Sequence, residues 1–466
     1  MRVIIVGAGK LGQKLAESLV IENIDVILID NDANLVGKIN ENLDVLTVAA
    51  SGINIDTLKE AGIKDCDLLV ACTKEDETNT VICSLAKKLG CKKTMARIRN
   101  PEYIKQLDFV KIGLGLDYTI NPELETAKVI EKYLLKNFSF YISDFARGKV
   151  IMLDFNIGHN EEFAGKKIKD LRDFDDFLIT AISRNGEIII PDGSTQLIKN
   201  DIIYVIGKSD NIERLDTRFQ EDAGIIRKQI ERVMILGGGR VSFYLAERLL
   251  QSGISVTVIE EDKKRCEILD EGLDGVLVIY GDGTDIHLLE EENLELMDAF
   301  VGLTGYDEQN LLMALMAKQA GVSKAVAKIS RESYIKIIDK LGIDAAFNTV
   351  YITAANILKH VRGGKVVSVS LLLGGDGEVT EIIVGEDLPF IGKPLAELNL
   401  PKGIIIGSIV RNGDVIIPKG SSIMYPGDRI IVFSLTKDLP TLKMFMKKPN
   451  KGGIFGELRN RVKGTR

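Results

Sequence analysis

The sequence predicts an α/β protein in which two doubly wound, parallel-sheet domains are each followed by a small α+β domain, in a tandem duplication. Three observations support this fold class. A β-branched apolar run leads into a glycine-rich turn and an amphipathic helix in MRVIIVGAGKLGQKLAESL, and again in RVMILGGGRVSFYLAERL. Behind each opening, strand-like runs alternate with helical stretches of about ten residues. A different module, rich in hairpin signals, then follows.

The two halves of the chain align in a nearly constant register. At an offset of 230 the first glycines, an alanine and an acid coincide, as Gly7 with Gly237, Gly9 with Gly239, Ala16 with Ala246, and Asp30 with Glu260. At an offset of 231, Gly52, Thr73 and Asp76 coincide with Gly283, Thr304 and Asp307. At an offset of 227, AISRNGEIIIPDGS (181–194) lies over SIVRNGDVIIPKGS (408–421). The repeat therefore contains two kinds of module, in the order A, B, A, B.

The sequence of the first A module predicts its individual strands and helices. Its strands are VIIVG, DVILID, LDVLTVAA, CDLLVACT and KTMARI, and helices such as GQKLAESLV, NIDTLKEAG and ETNTVICSLAKKLG separate them. This alternation is typical of a parallel sheet with right-handed crossovers. The B modules have short β-rich runs around turn signals such as RNGE and PDGS, and a long amphipathic helix, NPELETAKVIEKYLLKNF, joins the first A module to its B module.

These patterns divide the chain into four domains and a tail. The predicted segments are a Rossmann-like domain with its connecting helix (1–140), a small α+β domain (141–225), a second Rossmann-like domain (230–362), a second small α+β domain (365–447) and a basic tail (448–466).

The first glycine loop fits the GxGxxG pattern of dinucleotide-binding folds. Gly7 allows the tight turn after the strand, Gly9 lets backbone N–H groups approach phosphate oxygens, and Gly12 allows the helix to pack close to the sheet. Asp30 ends the second strand, where a carboxylate accepts hydrogen bonds from both ribose hydroxyls and repels a 2′-phosphate. The loop therefore predicts a site for NAD or an unphosphorylated adenine nucleotide rather than NADP.

The second loop, GGGRVS, departs from this pattern. Ser242 replaces the third glycine, which predicts a slightly larger separation of helix and strand, and Arg240 adds a cation. Glu260 replaces Asp30. Two interpretations remain open: a second nucleotide site with altered preference, or a copy that keeps the fold and has lost its ligand.

Polar residues also follow later strands, at the edge where ligands of open α/β sheets bind. Candidates for the adenine and ribose pocket are Ser51, Asp282, Thr73 and Thr304. Arg97 and Lys328 end the fifth strand of each copy, where each is either a phosphate-binding cation or an exposed strand-end charge.

Composition excludes several classes of protein. A net charge of −7, from 60 Lys and Arg against 67 Asp and Glu, argues against a nucleic-acid partner. Five cysteines without CxxC spacing, and the lack of a signal peptide or long apolar run, predict a cytoplasmic protein that does not span a membrane. Cys66, Cys72, Cys83 and Cys91 have apolar counterparts in the second copy, which indicates core positions rather than a metal site.

The sequence does not indicate a catalytic centre. The three histidines, His159, His287 and His360, occupy unrelated places in the two copies, so each is interpreted as a surface or packing residue. A nucleophile elbow, a metal constellation and a Walker-type GxxxxGK[ST] phosphate loop are all absent from the sequence. A dehydrogenase would need a proton-transfer group beside its hydride acceptor.

The order of modules resembles the TrkA family, the peripheral regulatory subunits of Trk potassium-uptake systems with tandem RCK (KTN) units. The most specific marks are GAGKLGQKLAESL with LIDND, SGINIDTLKEAGI, ACTKEDETN, ARIRNPEY and the repeated RNGxxIIPxG. The resemblance covers about residues 1 to 445. It implies A modules that bind NAD(H) or ATP/ADP. It also implies a homo-oligomeric ring of four chains beneath a membrane potassium-translocating subunit of the TrkH/TrkG type.

The resemblance also implies ligand contacts at matching positions. In the first copy these are Gly7, Gly9, Lys10, Leu11, Asp30, Thr73 and Arg97. In the second copy they are Gly237, Gly239, Arg240, Glu260, Thr304 and Lys328. The candidate set is completed by loop and strand-end residues, namely Ala8, Ser51, Val241 and Asp282.

These inferences predict a non-enzymatic nucleotide sensor that gates potassium uptake from the inner face of the membrane, through its channel partner. Two alternatives remain: an NAD-dependent oxidoreductase in which one A module has become structural, and a free-standing adenine-nucleotide sensor. For the tail, the interpretations are a solvated segment or a contact with the channel or with acidic lipid.

Overall fold

The structure is a computed structural model that describes residues 1–101, 103, 111, 113–135, 143–158, 163–171, 176–185, 187–222, 229–331, 333, 334, 341–363, 365–386 and 388–445. The chain divides into two compact units, one of Met1–Tyr141 with Asp216–Val361 and the other of Ile142–Leu215 with Arg362–Arg466. The basic tail and His159 lie outside the described residues. No helix within the described ranges is long and apolar enough to cross a membrane.

The first half opens with a parallel sheet. Its elements are β1 (Arg2–Val6), α1 (Lys10–Ile21), β2 (Asp25–Asp30), α2 (Ala33–Asn42), β3 (Leu46–Ala49), α3 (Ile55–Glu60), β4 (Leu68–Ala71), α4 (Asp76–Lys88), β5 (Thr94–Arg97), β6 (Tyr118–Ile120) and α5 (Pro122–Leu135). In the described residues the strand order is β3-β2-β1-β4-β5-β6, and every pairing is parallel. This is the doubly wound order that the alternating pattern predicts.

An antiparallel sheet follows. Its elements are β7 (Ser143–Phe145), β8 (Val150–Asn156), β9 (Phe177–Arg184), β10 (Glu187–Ile189) and β11 (Ile202–Lys208), with α6 (Ser209–Asp222) after them. The order is β10-β9-β11-β8-β7 among the strands that the structure describes.

The second half repeats both sheets. The parallel sheet has β12 (Arg232–Leu236), α7 (Arg240–Gln251), β13 (Ser255–Glu260), α8 (Lys263–Gly272), β14 (Leu277–Tyr280), α9 (Ile286–Glu291), β15 (Ala299–Gly302), α10 (Asp307–Gln319), β16 (Lys324–Ile329), β17 (Ala345–Asn348) and α11 (Thr349–Arg362). The antiparallel sheet has β18 (Val366–Leu372), β19 (Gly377–Ile383), β20 (Ile404–Arg411), β21 (Asp414–Ile416) and β22 (Arg429–Leu435), with α12 (Leu439–Phe445) after them. The orders are β14-β13-β12-β15-β16-β17 and β18-β19-β22-β20-β21 in the described chain.

The predicted fold class is confirmed, since the parallel and antiparallel sheets recur in tandem. The sixth strand of each parallel sheet, β6 and β17, was not predicted. The five segment boundaries stay a prediction. The cysteines are core residues as expected, because Cys66, Cys72, Cys83 and Cys91 are buried.

The repeated RNGxxIIPxG motif forms a hairpin in the second unit. Asn412 and Gly413, with φ of +51° and +95°, make the two-residue turn between β20 and β21. Positive φ at both positions is the conformation for which Asn-Gly is favoured. Arg411 lies just before the turn and pairs with the buried Asp428 through two hydrogen bonds of 2.9 and 2.8 Å. Arg184 and Asp201 form the equivalent pair, at 2.8 and 2.7 Å.

The two antiparallel sheets share one hydrophobic core within their unit. Phe145 and Met152 from the first sheet pack in the same cluster as Leu372 and Phe433 from the second. The hydroxyls of Ser143 and Ser370, which are equivalent in the duplication, lie 2.6 Å apart. Contact between equivalent residues indicates that the two antiparallel sheets of this unit are related by an approximate two-fold axis.

The two parallel sheets are joined within their own unit by the connecting helix α5. Arg248 on α7 donates to Glu131 on α5 at 2.6 Å. Lys324, at the start of β16, donates to the carbonyl oxygen of Tyr133 at 2.9 Å and lies 4.8 Å from the centre of its ring. A cation at the carboxyl end of α5 also complements the helix dipole.

The Lys324 contact makes the unfolding free energy depend on pH. Burial lowers the pKa of Lys324 to about 8, and Asp344 and Asp216 oppose the shift. Between pH 8 and the ordinary lysine pKa, the unfolded chain retains a proton that the folded chain has released, so the contribution of Lys324 to stability increases with pH. We therefore compare the unfolding free energy of the parent with that of Lys324→Met. The advantage of the parent should grow by roughly 2 kcal/mol between pH 7 and 9.5. Denaturant titrations that give a constant difference would contradict this.

Candidate nucleotide-binding sites

The first glycine loop is built on close backbone contacts. Gly7 has a φ of +109°, and a Cβ there would lie 2.9 Å from the Thr73 nitrogen. A Cβ on Gly12 would lie 1.9 Å from the Gly7 carbonyl oxygen. The turn therefore requires glycine at both positions, and it brings the start of α1 beside the end of β4.

Gly9 has a different role, because it leaves space open. It is the N-cap residue of α1, and apart from Gly9 and its chain neighbours no atom of the described chain lies within 4 Å of the position of an added Cβ. Lys10 is exposed beside it, whereas the side chains of Ala8 and Leu11 are buried. The first turn of a helix leaves N–H groups without helical acceptors, so this open position fits a phosphate.

Asp30 connects the loop to the end of β2. Its Oδ2 accepts from the Ala8 N–H at 2.6 Å, and its Oδ1 accepts from the Asp32 N–H at 2.9 Å. The residue is partly exposed, and each carboxylate oxygen has a further lone pair. The carboxylate is therefore fixed in place and still able to accept ribose hydroxyls, which fits the adenosine half of a nucleotide.

The candidate residues at the ends of later strands differ in how free their side chains are to contact a ligand. Ser51 is exposed after β3. Arg97 is tied down, because its Nη2 donates to the Thr73 carbonyl oxygen, and burial lowers the pKa of its guanidinium. Lys328 is held similarly, since its Nζ donates to the Leu303 carbonyl at 3.2 Å and burial lowers its pKa. Both cations thus lie at the sheet edge with part of their hydrogen-bonding capacity already used.

Two residues of each copy were missed as site residues. Asn79 is fully buried on α4 and bridges the ends of β4 and β5, accepting from Thr73 N–H at 2.8 Å and donating to the Arg97 carbonyl at 2.9 Å. Asp76 accepts from the N–H groups of Arg99 and Asn100, both at 2.8 Å. Asn310 and Asp307 repeat these bonds. In the sequence, the pattern that could have identified them is TxxDxxN, which occurs in both copies, at 73–79 and 304–310.

The second glycine loop accommodates its serine. Gly237 has a φ of +96°, and the hydroxyl of the fully buried Ser242 donates to its carbonyl oxygen. Gly239 is again the N-cap of its helix, and an added Cβ would have no neighbour in the described chain within 4 Å. Arg240 is exposed beside it, and Val241 is buried. The second loop therefore keeps the open position at the N-terminus of its helix.

The acid of the second copy is less available than Asp30. Glu260 is 4% exposed, and its carboxylate accepts from Gly238 N–H and from Asp262 N–H. Arg265 also lies 3.8 Å from it. Asp282, after β14, accepts from the N–H and hydroxyl of Thr284, which lower its pKa. The ribose side of this site thus differs more from the first copy than the phosphate side does.

The second loop's helix reaches the edge of the first site. The Tyr244 hydroxyl on α7 donates to the Arg99 carbonyl at 2.9 Å and accepts from the Asn121 amide at 3.0 Å. Burial raises the pKa of Glu123 at the start of α5, and Arg99, Arg97 and Arg240 oppose this shift. The cation of the second loop thus acts electrostatically on a carboxyl that lies 4.0 Å from the Arg99 guanidinium.

Two parallel sheets with glycine loops, each followed by an antiparallel sheet, define a tandem RCK-type protein. The model of the TrkA-N domain matches residues 3–122 and 233–349, and the model of the TrkA-C domain matches residues 152–220 and 379–447. The chain therefore belongs to the TrkA family, and the resemblance read from the sequence is confirmed.

Full-length relatives agree with this assignment. The "Trk system potassium uptake protein TrkA homolog 1" of Methanosarcina mazei is 35% identical, with 96% of this chain and 100% of that protein covered. The "Trk system potassium uptake protein TrkA" of Haemophilus influenzae is 35% identical, with 95% and 98% covered.

Solved structures share the fold. A structure titled "GsuK Channel" has a TM-score of 0.57 at 17% identity, with 95% of this chain and 79% of that chain covered. One titled "GsuK channel bound to NAD" has a TM-score of 0.56 at 18% identity, with 96% and 78% covered.

Proposed function

We propose that this chain is a non-enzymatic, nucleotide-sensing regulatory subunit that gates potassium uptake through a separate membrane subunit. The main support for this proposal is the similarity to relatives named for potassium uptake. They are 35% identical to this chain, and the alignments cover 95% or more of it. The predicted partner is a TrkH/TrkG-like translocating subunit. A ring of four chains would lie against it at the inner face of the membrane.

The ligand is NAD(H), or ATP and ADP, bound at the glycine loops. The open space at Gly9 and Gly239 supports this, as does the partly exposed carboxylate of Asp30. A fold neighbour is a channel titled as bound to NAD. The proposed contacts are the candidate residues of both copies, Gly7, Ala8, Gly9, Lys10, Leu11, Asp30, Ser51, Thr73, Arg97, Gly237, Gly239, Arg240, Val241, Glu260, Asp282, Thr304 and Lys328.

The non-enzymatic role is supported by where the described histidines lie. His360 packs against Tyr118, with ring centroids 4.5 Å apart, at the amino end of β6. That is the opposite edge of the sheet from the glycine loop. His287 is exposed on the short helix α9. Neither histidine is positioned to transfer a proton beside a nucleotide at the first loop.

Gating requires that a nucleotide bind two shapes of the ring with different affinities. The contact between α7 and the edge of the first site supplies a physical link between the two loops, since Tyr244 bonds to the Arg99 carbonyl. Arg240 is the proposed discriminating cation, because it is exposed at the second loop and acts on Glu123. Coupling of this kind is usually about 1–3 kcal/mol and acts in both directions.

Asp30 should determine which nucleotide the first site takes. Asp30→Ala is expected to weaken NAD binding by about 1–2 kcal/mol, because charge-assisted hydrogen bonds to the ribose are lost. It should also narrow the preference for NAD over NADP, because no carboxylate then faces the 2′-phosphate. Calorimetry with both dinucleotides measures this, and Glu260→Ala is the matched control at the second copy. Equal affinity of the parent for NAD and NADP would count against the assignment.

The regulatory role is tested by co-purification. The tagged chain should copurify in detergent with a Trk-type membrane subunit coexpressed from the same genome, and nucleotide should change the amount retained.

The purified chain should also show no substrate-dependent change at the nicotinamide absorbance band with alcohols, hydroxy acids or aldehydes. Sustained hydride transfer would favour the oxidoreductase alternative.

A further inference from the structure

Two cysteines of the first parallel sheet lie opposite each other, shortly before neighbouring strands. In the register of β4 and β5, Leu69 pairs with Thr94. Cys66 and Cys91 have the same separation of 25 residues. The backbone continues the register to them, because the Lys92 N–H donates to the Cys66 carbonyl oxygen at 3.2 Å. In a parallel pair, that bond is made by the residue that follows the one directly opposite, so Cys91 is opposite Cys66.

The side chains of this pair meet beneath the surface. Each thiol lies 3.1 Å from the carbonyl oxygen two residues further along its own segment, so both side chains turn the same way. The Cys66 and Cys91 thiols are hydrogen-bonded to each other, and the two residues are 0% and 3% exposed. The next residues, Asp67 and Lys92, form an ion pair of 2.7 Å in the same register. The backbone of the sheet therefore holds the two sulfur atoms in contact.

This arrangement fits the geometry of a disulfide. Adjacent strands lie about 4.8 Å apart. The Cα atoms of a disulfide are usually about 4.4–6.8 Å apart. Residues that are opposite in a parallel pair also direct their side chains to the same face of the sheet. The two sulfurs can thus be joined by side-chain rotation, without separation of the strands.

Cys91 is the nucleophile of the pair. The hydrogen bond from the Cys66 thiol lowers the pKa of Cys91, and the same contact raises the pKa of Cys66. The thiolate is the form of cysteine that attacks an oxidant. Burial instead raises the pKa of Cys72 to about 11. A small oxidant reaches Cys91 through the turn before β5, because Gly90 and Lys92 on either side of it are exposed.

We propose that Cys66 and Cys91 form a peroxide-sensitive modification site, in which a reversible disulfide links the segments before β4 and β5. The Cys91 thiolate attacks one oxygen of hydrogen peroxide, the O–O bond breaks, and hydroxide leaves. The Cys66 sulfur then attacks the sulfenic acid on Cys91, an S–S bond forms, and a second hydroxide leaves. The two thiol protons convert both hydroxides to water. The cysteines lose two electrons in total, and the peroxide gains two.

The second copy cannot form this link. Met297 and Val322 occupy the equivalent positions, and both pack in the hydrophobic core of their sheet. In the first copy, the disulfide closes a loop that contains β4, α4 and the polar residues Thr73, Asp76 and Asn79. Closing a loop of this length restricts the unfolded chain and so stabilises the folded one. Oxidation therefore acts on one copy of the duplication and not on the other.

The test is oxidation of the full chain by hydrogen peroxide, followed by alkylation in denaturant and mass spectrometry. The parent should lose two hydrogens and two of its five alkylatable thiols. Peptide mapping should place the link between Cys66 and Cys91, and dithiothreitol should restore both thiols. Cys91→Val introduces the residue of the second copy, and it should keep all of its remaining thiols. Cys83→Ala, the matched control with Ala314 as its counterpart, should form the link as the parent does.

Thermal unfolding shows whether the link fits the native sheet. Oxidation should raise the midpoint of the parent by roughly 3–10 °C relative to Cys91→Val treated in the same way. If peroxide leaves both thiols of the parent alkylatable, or links either of them to another cysteine, the proposal is wrong. A linked chain that unfolds at a lower temperature than the reduced chain would also contradict it, because the bond would then distort the strands.

Discussion

Gly9→Ala is expected to reduce nucleotide affinity at the first site at least tenfold while leaving the fold intact. Apart from Gly9 and its chain neighbours, no atom of the described chain lies within 4 Å of the added methyl, and the φ of −66° at Gly9 suits alanine. The methyl instead occupies the space that a phosphate must enter to reach the N-terminus of α1. The unfolding free energy should change by less than about 1 kcal/mol, which is the scale of an N-cap exchange. Calorimetry and denaturant unfolding of the same preparation measure both quantities.

Gly12→Ala is the matched comparison, because it should lower the unfolding free energy, which Gly9→Ala should leave nearly unchanged. Its Cβ would lie 1.9 Å from the Gly7 carbonyl oxygen, so the loop and α1 must move apart. We expect a loss of about 1–3 kcal/mol in unfolding free energy, as for other overpacked sites. If Gly9→Ala binds NAD and ATP with the same affinity as the parent, the loop does not hold the phosphates.

Arg411→Met is expected to destabilise the unit of antiparallel sheets by about 2–4 kcal/mol. The side chain of Asp428 is 3% exposed, and it would lose both of its bonds to the guanidinium. Removing one partner of a buried pair leaves a desolvated charge, which usually costs more than the pair itself contributes. The arginine is 32% exposed, which places the expected loss towards the lower part of the range for such pairs.

The equivalent pair of the first copy, Arg184 and Asp201, allows an internal comparison. Arg184→Met should have a similar effect, since Asp201 is equally buried. The double variant Arg411→Met, Asp428→Asn should recover part of the loss, because the unpaired charge is gone. Chemical denaturation followed by circular dichroism checks this. A change below about 0.5 kcal/mol in Arg411→Met would mean that water screens the pair.

The duplication explains why so much of the fold was predictable. Each glycine loop and each strand end appeared twice, so chance matches in one copy could be checked against the other. The Asn-Gly turns also specify their own hairpins, because few residues adopt positive φ at two successive positions. β6 was missed because its three residues have no periodicity of their own, and it is a strand only through pairing with β5.

The details of the site depended on tertiary contacts that spacing does not reveal. Arg97 was identified as a strand-end cation, but its bond to the Thr73 carbonyl follows from the packing of β4 against β5. Asn79 was visible only as part of TxxDxxN, a pattern without a known ligand meaning. The bond between Tyr244 and Arg99 joins residues 145 positions apart, so only the folded chain shows that the second loop's helix reaches the first site.

Potassium flux into proteoliposomes tests the central claim most directly. Vesicles would contain a Trk-type membrane subunit, with this chain added outside together with NAD, ATP, ADP or no nucleotide. The account predicts that the chain changes the initial rate of rubidium or potassium entry, and that this effect depends on nucleotide in the parent but not in a variant with both Gly9→Ala and Gly239→Ala. A rate that is the same with and without the chain, under every nucleotide, would contradict it.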